Sequence, residues 1–155
     1  MFKPLPALAL MAVSLTPGQS QRTIDMIHAK GTFEVKVAPT NHAPDSSLSS
    51  YSLDKTYHGD LEALGKGEML SAGDPAAGNA GYVAIERVTG KLNGKTGTFA
   101  LMQSGIMADG KAPQLTVTVV PGSGTAELKG ISGAMTVIIE GGKHSFALDY
   151  GFTPQ

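Results

Sequence analysis

From Gly31 onward the chain alternates apolar and polar residues with a period of two, and glycine-bearing turns interrupt the alternation at short intervals. Phe33, Val35 and Val37 share one parity, while Thr32, Glu34 and Lys36 hold the other. Successive side chains of a strand point to opposite faces, so this is the pattern of a half-buried strand. The longest regular stretch follows a polar loop at Asn41 to Ser50. In it Tyr51, Leu53, Tyr57, Leu61, Ala63 and Met69 fall on one parity with Gly59, Gly65 and Gly67. Ser52, Asp54, Thr56, His58, Asp60, Glu62, Lys66 and Glu68 fall on the other. Two strands joined near Gly59 to Glu62 keep that parity when the connection has an odd number of residues. Lys55 is the exception, a charge on the apolar side.

Beyond a loop at Gly73 to Gly78, the run Gly81 to Val88 is apolar on both parities and reads as a central strand. Asn93-Gly94 predicts a two-residue hairpin into Thr98 to Gln103, and Asp109-Gly110 a second turn into Leu115 to Val120. Pro121 to Gly124 turns the chain again, Met135 to Ile139 is rich in β-branched residues, and Gly141-Gly142 leads to a last strand, His144 to Tyr150. Seven or eight strands with short connections leave exposed edges unless the sheet closes. The expected fold is therefore all-β, a single antiparallel β-barrel of about eight strands, with a β-sandwich as the rival.

The amino terminus reads differently. Lys3, the apolar run Leu5 to Leu15 and the small or polar residues Thr16 to Gln21 have the order of an export signal. The run is too short for a membrane-spanning helix. Residues 1–25 are accordingly expected to be a signal-like or disordered extension, and residues 26–155 to form the barrel domain. An export signal at residues 1–20 implies a periplasmic or secreted protein; a start at Met26 implies a cytoplasmic one.

Composition narrows the chemistry. Twelve Lys and Arg against 13 Asp and Glu give a formal charge of −1, without the cationic excess that holds nucleic acid. Cysteine is absent, which excludes disulfides and thiolate chemistry. His28, His42, His58 and His144 show no chelating spacing, so no metal is expected, and no cofactor motif is present. Gly90 to Thr96 has three residues between its glycines where a phosphate loop needs four, and a strand follows it. Gly130 to Ala134 and Pro121 to Gly124 each fall one glycine short of a nucleophile elbow.

Polar residues that share parity with apolar neighbours would point into a barrel. His144 is in register with Phe146, Leu148 and Tyr150, Gln103 with Phe99 and Leu101, and Glu86 with Tyr82, Ala84 and Val88. His144, Glu86, Gln103, Tyr82, Phe99 and Phe146 are thus the candidate ligand-binding set. Each polar member has a structural alternative: His144 as a wet strand end, Glu86 paired with Arg87 or Lys91, Gln103 as a satisfied core amide. Asp54, His58, Asp60, Lys66 and Glu68, on the opposite parity, read as a solvated outer face.

Gly31 to Val35, Asp54 to Glu62, Lys66 to Leu70, Gly81 to Val88, Gln103 to Gly105 and Gly124 to Leu128 together resemble the small bacterial domain-of-unknown-function family numbered 3224, over about Ala29 to Tyr150. That family is in turn similar to the allene oxide cyclase barrel, which implies about eight antiparallel strands around a lumen. The resemblance implies no catalytic residue. It leaves three functional expectations: a barrel that binds a small, largely apolar molecule in its lumen; an isomerase or cyclase of the allene oxide cyclase type acting on a flexible apolar substrate; and a homo-oligomeric interaction module whose interface is the outer face of Gly81 to Val88.

Overall fold

A computed structural model describes residues 25–153. The signal segment expected at residues 1–20 lies outside the described residues. Eight strands, β1 (Ile27–Thr40), β2 (Ser49–Gly59), β3 (Leu61–Asp74), β4 (Asn79–Leu92), β5 (Lys95–Met107), β6 (Gln114–Val119), β7 (Ile131–Glu140) and β8 (Lys143–Phe152), follow one another in chain order. Each pairs antiparallel with the next, and β8 returns to β1, so the sheet closes. Closure gives every strand a neighbour on both sides and excludes the sandwich.

The connections explain the meander. Asp60 alone separates β2 from β3, and that odd count keeps Tyr57 and Ala63 on the same face. Asn93 and Gly94 both have positive φ, 46° and 81°, as a type I′ hairpin requires. The loop expected at Gly73 to Gly78 is shorter than its sequence suggests: β3 runs on to Asp74, and one helical turn, Pro75–Ala77, capped by the Asp74 carboxylate, hands the chain to β4.

Inward residues fill one end of the barrel and leave the other open. At the filled end Leu61, Leu92, Phe99, Leu148 and Tyr150 are buried. A short helical turn, Ala126–Leu128, tucks Leu128 against Gly97 and completes the plug. At the opposite end β6 and β7 pair only through Val117 with Met135 and Thr118 with Ala134. From Val137 to Glu140, β7 pairs with β8 alone, so the wall flares there.

The reading of Gly81 to Val88 as a strand covered on both faces is corrected. Val83 and Ile85 are more than half exposed on the outer wall, as are Met102 and Ile106 beside them. A single-layer barrel buries only its inner face, so apolar residues of outward parity have no second layer to meet.

Candidate functional site

The polar centre of the lumen is Lys55, Tyr57 and Glu86. Lys55 and Tyr57 project inward from β2, and Glu86 projects inward from β4. Glu86 is 0% and Lys55 8% exposed. Lys55 Nζ lies 3.0 Å from Glu86 Oε2, a charge contact outside hydrogen-bond alignment. Tyr57 donates its hydroxyl proton to Glu86 Oε1. The same hydroxyl oxygen accepts a long hydrogen bond from Lys55 Nζ, at 3.4 Å. The ammonium also sits 5.0 Å from the centre of the Phe33 ring and 5.8 Å from that of Tyr57, so two aromatic faces supplement the carboxylate in replacing water.

Bare backbone on the intervening strand makes this meeting possible. In β3, Gly65 pairs with Lys55, and Gly67 pairs with both Leu53 and Glu86. A Cβ at Gly65 would stand 3.3 Å from Glu86 Oε2 and 3.2 Å from the Tyr57 ring. One at Gly67 would overlap the Ile85 carbonyl oxygen. Two adjacent inward positions without side chains thus form a trough through which β2 and β4 reach each other.

Burial pushes the Tyr57 phenol far above its ordinary range, and the Glu86 charge and hydrogen bond push it the same way. Tyr82, half-buried, is also raised, first by burial and then by the charge of Glu86. Both tyrosines are therefore neutral donors at physiological pH. With its charges paired and its phenols protonated, the centre offers hydrogen bonds rather than a ready nucleophile.

Above the centre, successive cross-strand rows lead to the open end. Glu86, Leu101 and Val119 form one row, Ala84, Gln103 and Val117 the next, and Tyr82, Gly105 and Leu115 the next. Tyr82 and Leu115 meet over Gly105, where a Cβ would overlap the Tyr82 ring. Beyond them lies an apolar cavity of ≈ 370 Å³ walled by Tyr51, Met69, Tyr82, Met107, Leu115 and Ile139. The concavities beside Val83 and Ile85 lie between outward side chains instead. Gln103 is 8% exposed, and its Nε2 has no hydrogen-bond partner among the described residues.

The six sequence-derived positions therefore separate. Glu86, Gln103 and Tyr82 lie on successive rows of the lumen. Phe146 is buried and packs edge-on against Tyr57, with ring centres 5.7 Å apart. Phe99 belongs to the filled end. His144, half-buried near the start of β8, stacks at 4.9 Å on Phe33 and makes no hydrogen bond to Glu86 or Gln103 among the described residues. Glu86 pairs with neither Arg87 nor Lys91: Arg87 donates to Thr98 outside. Lys55 and Tyr57 belong to the centre although the sequence reading did not include them. Their signal was parity, since Lys55 shares the inward register of Leu53 and Tyr57.

The outer polar face is as read. Lys66 pairs with Asp54 and His42 with Glu68, all at exposed or half-exposed positions. Among the described residues no cluster of three His, Asp or Glu could hold a metal ion.

The family described as "Protein of unknown function (DUF3224)" matches residues 29–150, nearly the whole barrel. The chain belongs to this family. The crystal structure of a protein of unknown function from the same family, from Shewanella oneidensis MR-1, is 45% identical, with a TM-score of 0.77 over 84% of this chain and 100% of that one. No curated protein matches the chain. The family carries no activity to transfer, so function rests on the lumen itself.

Proposed function

We propose that this DUF3224 protein binds a small, largely apolar molecule at the open end of its barrel. The observation that carries the proposal is the asymmetry of the lumen. One end is packed solid, while the other holds a cavity walled by apolar and aromatic side chains above a few buried polar groups. That combination of apolar wall and sparse polar anchors is the usual make-up of a ligand pocket. Native mass spectrometry of the purified chain, before and after exposure to a lipid and metabolite extract, tests it. A reproducible adduct lost on denaturation supports binding, and the bare mass under both conditions overturns it. An isomerase or cyclase activity would use the same cavity and would appear as a bound compound released with unchanged mass but altered retention.

A second reading rests on the outer wall. Val83, Ile85, Met102 and Ile106 form a contiguous exposed apolar patch on β4 and β5. Patches of this kind mark interaction surfaces on soluble proteins. The partner proposed is a second copy of the chain. Sedimentation at high concentration checks it: association abolished by Ile85→Lys supports it, and a monomer throughout removes it.

A further inference from the structure

We infer that a second copy of the chain docks on the outer wall about a two-fold axis lying along the row of Leu70, Val83 and Ser104, with Ile85 of each copy seated in the hollow over Gly81 of the other and Arg87 facing Asp74. The inference rests on the self-association reading above and adds the arrangement that the surface dictates.

The outward positions of β3, β4 and β5 fall into cross-strand rows. From the row of Leu70, Val83 and Ser104 towards the filled end come Glu68, Ile85 and Met102, then Lys66, Arg87 and Ala100. Towards the open end come Ala72, Gly81 and Ile106, then Asp74 and Asn79. Gly81 alone in these rows lacks a side chain, and a Cβ there would meet only the Gly105 carbonyl oxygen, at 3.8 Å. The result is an apolar hollow walled by Leu48, Leu70, Val83 and Ile106. Ile85, two rows away, is more than half exposed, so one surface carries both a knob and a hole.

Sheets that meet face to face as identical copies are related by an axis in the plane between them, and an axis across the strands exchanges the rows on its two sides. Placed on the row of Val83, it sets Ile85 over Gly81, Met102 against Ile106 and Glu68 against Ala72. One row further out, Arg87 arrives opposite Asn79, with Asp74 on the adjacent strand. Both groups are exposed: Arg87 donates to Thr98 and Asp74 accepts from the Ala76 backbone, and neither is ion-paired in its own chain among the described residues. Each of these contacts is made twice.

Charge decides against the other placements, because mismatched charges at a contact penalise the wrong register. An axis on the row of Ile85 sets Glu68 on Glu68 and Val83 against Arg87. An axis between those two rows sets Arg87 over the apolar hollow and Asp74 opposite Leu64. An axis parallel to the strands, between β4 and β5, sets Arg87 opposite Ala100 and leaves both charges unanswered. Only the row of Val83 satisfies the hollow and the charges together.

Sedimentation of the full chain and single-cysteine cross-linking make the test, the chain having no cysteine of its own. Ser104 lies on the axis, so its two copies face each other. Ser104→Cys is expected to give a covalent dimer with a short bismaleimide, and Thr96→Cys, four rows away on the same strand, to give none. Gly81→Val fills the hollow without crowding its own chain, so it should weaken association at least about tenfold while keeping the wild-type melting temperature. Arg87→Asp should weaken association about tenfold, and adding Asp74→Arg should restore it to within about threefold. A wild type that associates while Ser104→Cys gives no cross-link, while Gly81→Val associates undiminished, or as a trimer, would overturn the arrangement; loss of association in Ile85→Lys would then leave the outer-wall reading standing. Should Gly81→Val fail to fold, the cross-link and the charge exchange still decide. A wild type that stays monomeric removes self-association and the arrangement with it.

Discussion

Lys55 Nζ and Glu86 Oε2 lie 3.0 Å apart although their strands are not neighbours: β3 runs between them, and the two side chains meet across Gly65 and Gly67. The pair is inaccessible to water on almost every side, so each charge depends on the other. Removing one partner of such a pair leaves an uncompensated buried charge, whereas replacing both by apolar groups is often nearly neutral.

Lys55→Met is therefore expected to destabilise the barrel by about 3–5 kcal/mol, and the double variant Lys55→Met, Glu86→Leu to recover most of that loss. Urea denaturation midpoints of the wild type, both single variants and the double variant give the coupling. Single and double variants of equal stability would show that the pair is not coupled as its geometry requires.

Gly65 and Gly67 should differ in their tolerance of a methyl group. At Gly65 the neighbours are side-chain atoms at 3.2–3.3 Å that can yield slightly, so Gly65→Ala is expected to cost about 1–3 kcal/mol. At Gly67 the obstacle is the Ile85 backbone carbonyl oxygen, which cannot move without breaking the β3–β4 ladder. Gly67→Ala should yield little folded protein, as read from soluble yield and the circular dichroism of the sheet.

Alkaline pH should expose the buried phenol. The Tyr57 pKa is raised in the folded state above its ordinary value of 10.0, so the neutral form is the one the fold stabilises. Its contribution is fully present below about pH 10 and declines as the unfolded chain begins to lose the proton that the folded chain keeps. The stability of the wild type should then fall more steeply above pH 10 than that of Tyr57→Phe, by about 1.4 kcal/mol per pH unit for the one proton. Denaturant midpoints between pH 9 and 11 measure the two slopes, and parallel slopes would contradict the burial of this hydroxyl.

Leu115 offers a test of the cavity that leaves the charged centre alone. It is half-buried at the mouth beside Tyr82, and a larger ring there would occupy the space assigned to ligand. Leu115→Trp is expected to abolish the adduct seen by native mass spectrometry while changing stability by less than about 1.5 kcal/mol, because the added volume enters an open cavity rather than a packed core. An adduct that survives the substitution would place binding elsewhere on the molecule.

The fold was legible because a strand writes its burial into every second residue. The parity that put Tyr51, Leu53 and Tyr57 together, the hairpin at Asn93-Gly94 and the short connections all follow from local backbone geometry, and they lead to a closed meander. Lys55 was visible on that same parity as an anomaly. Its partner was not, because Glu86 is 31 residues away and lies two strands over. His144 illustrates the converse: its inward parity is real, but register places it against Phe33 at the flared end rather than beside Glu86. Sequence parity alone thus determined which side chains enter the lumen. The height at which each one sits, which neighbours it meets and which end of the barrel stays open were decided by tertiary structure, because closure sets the stagger between strands and so brings together residues that no local pattern connects.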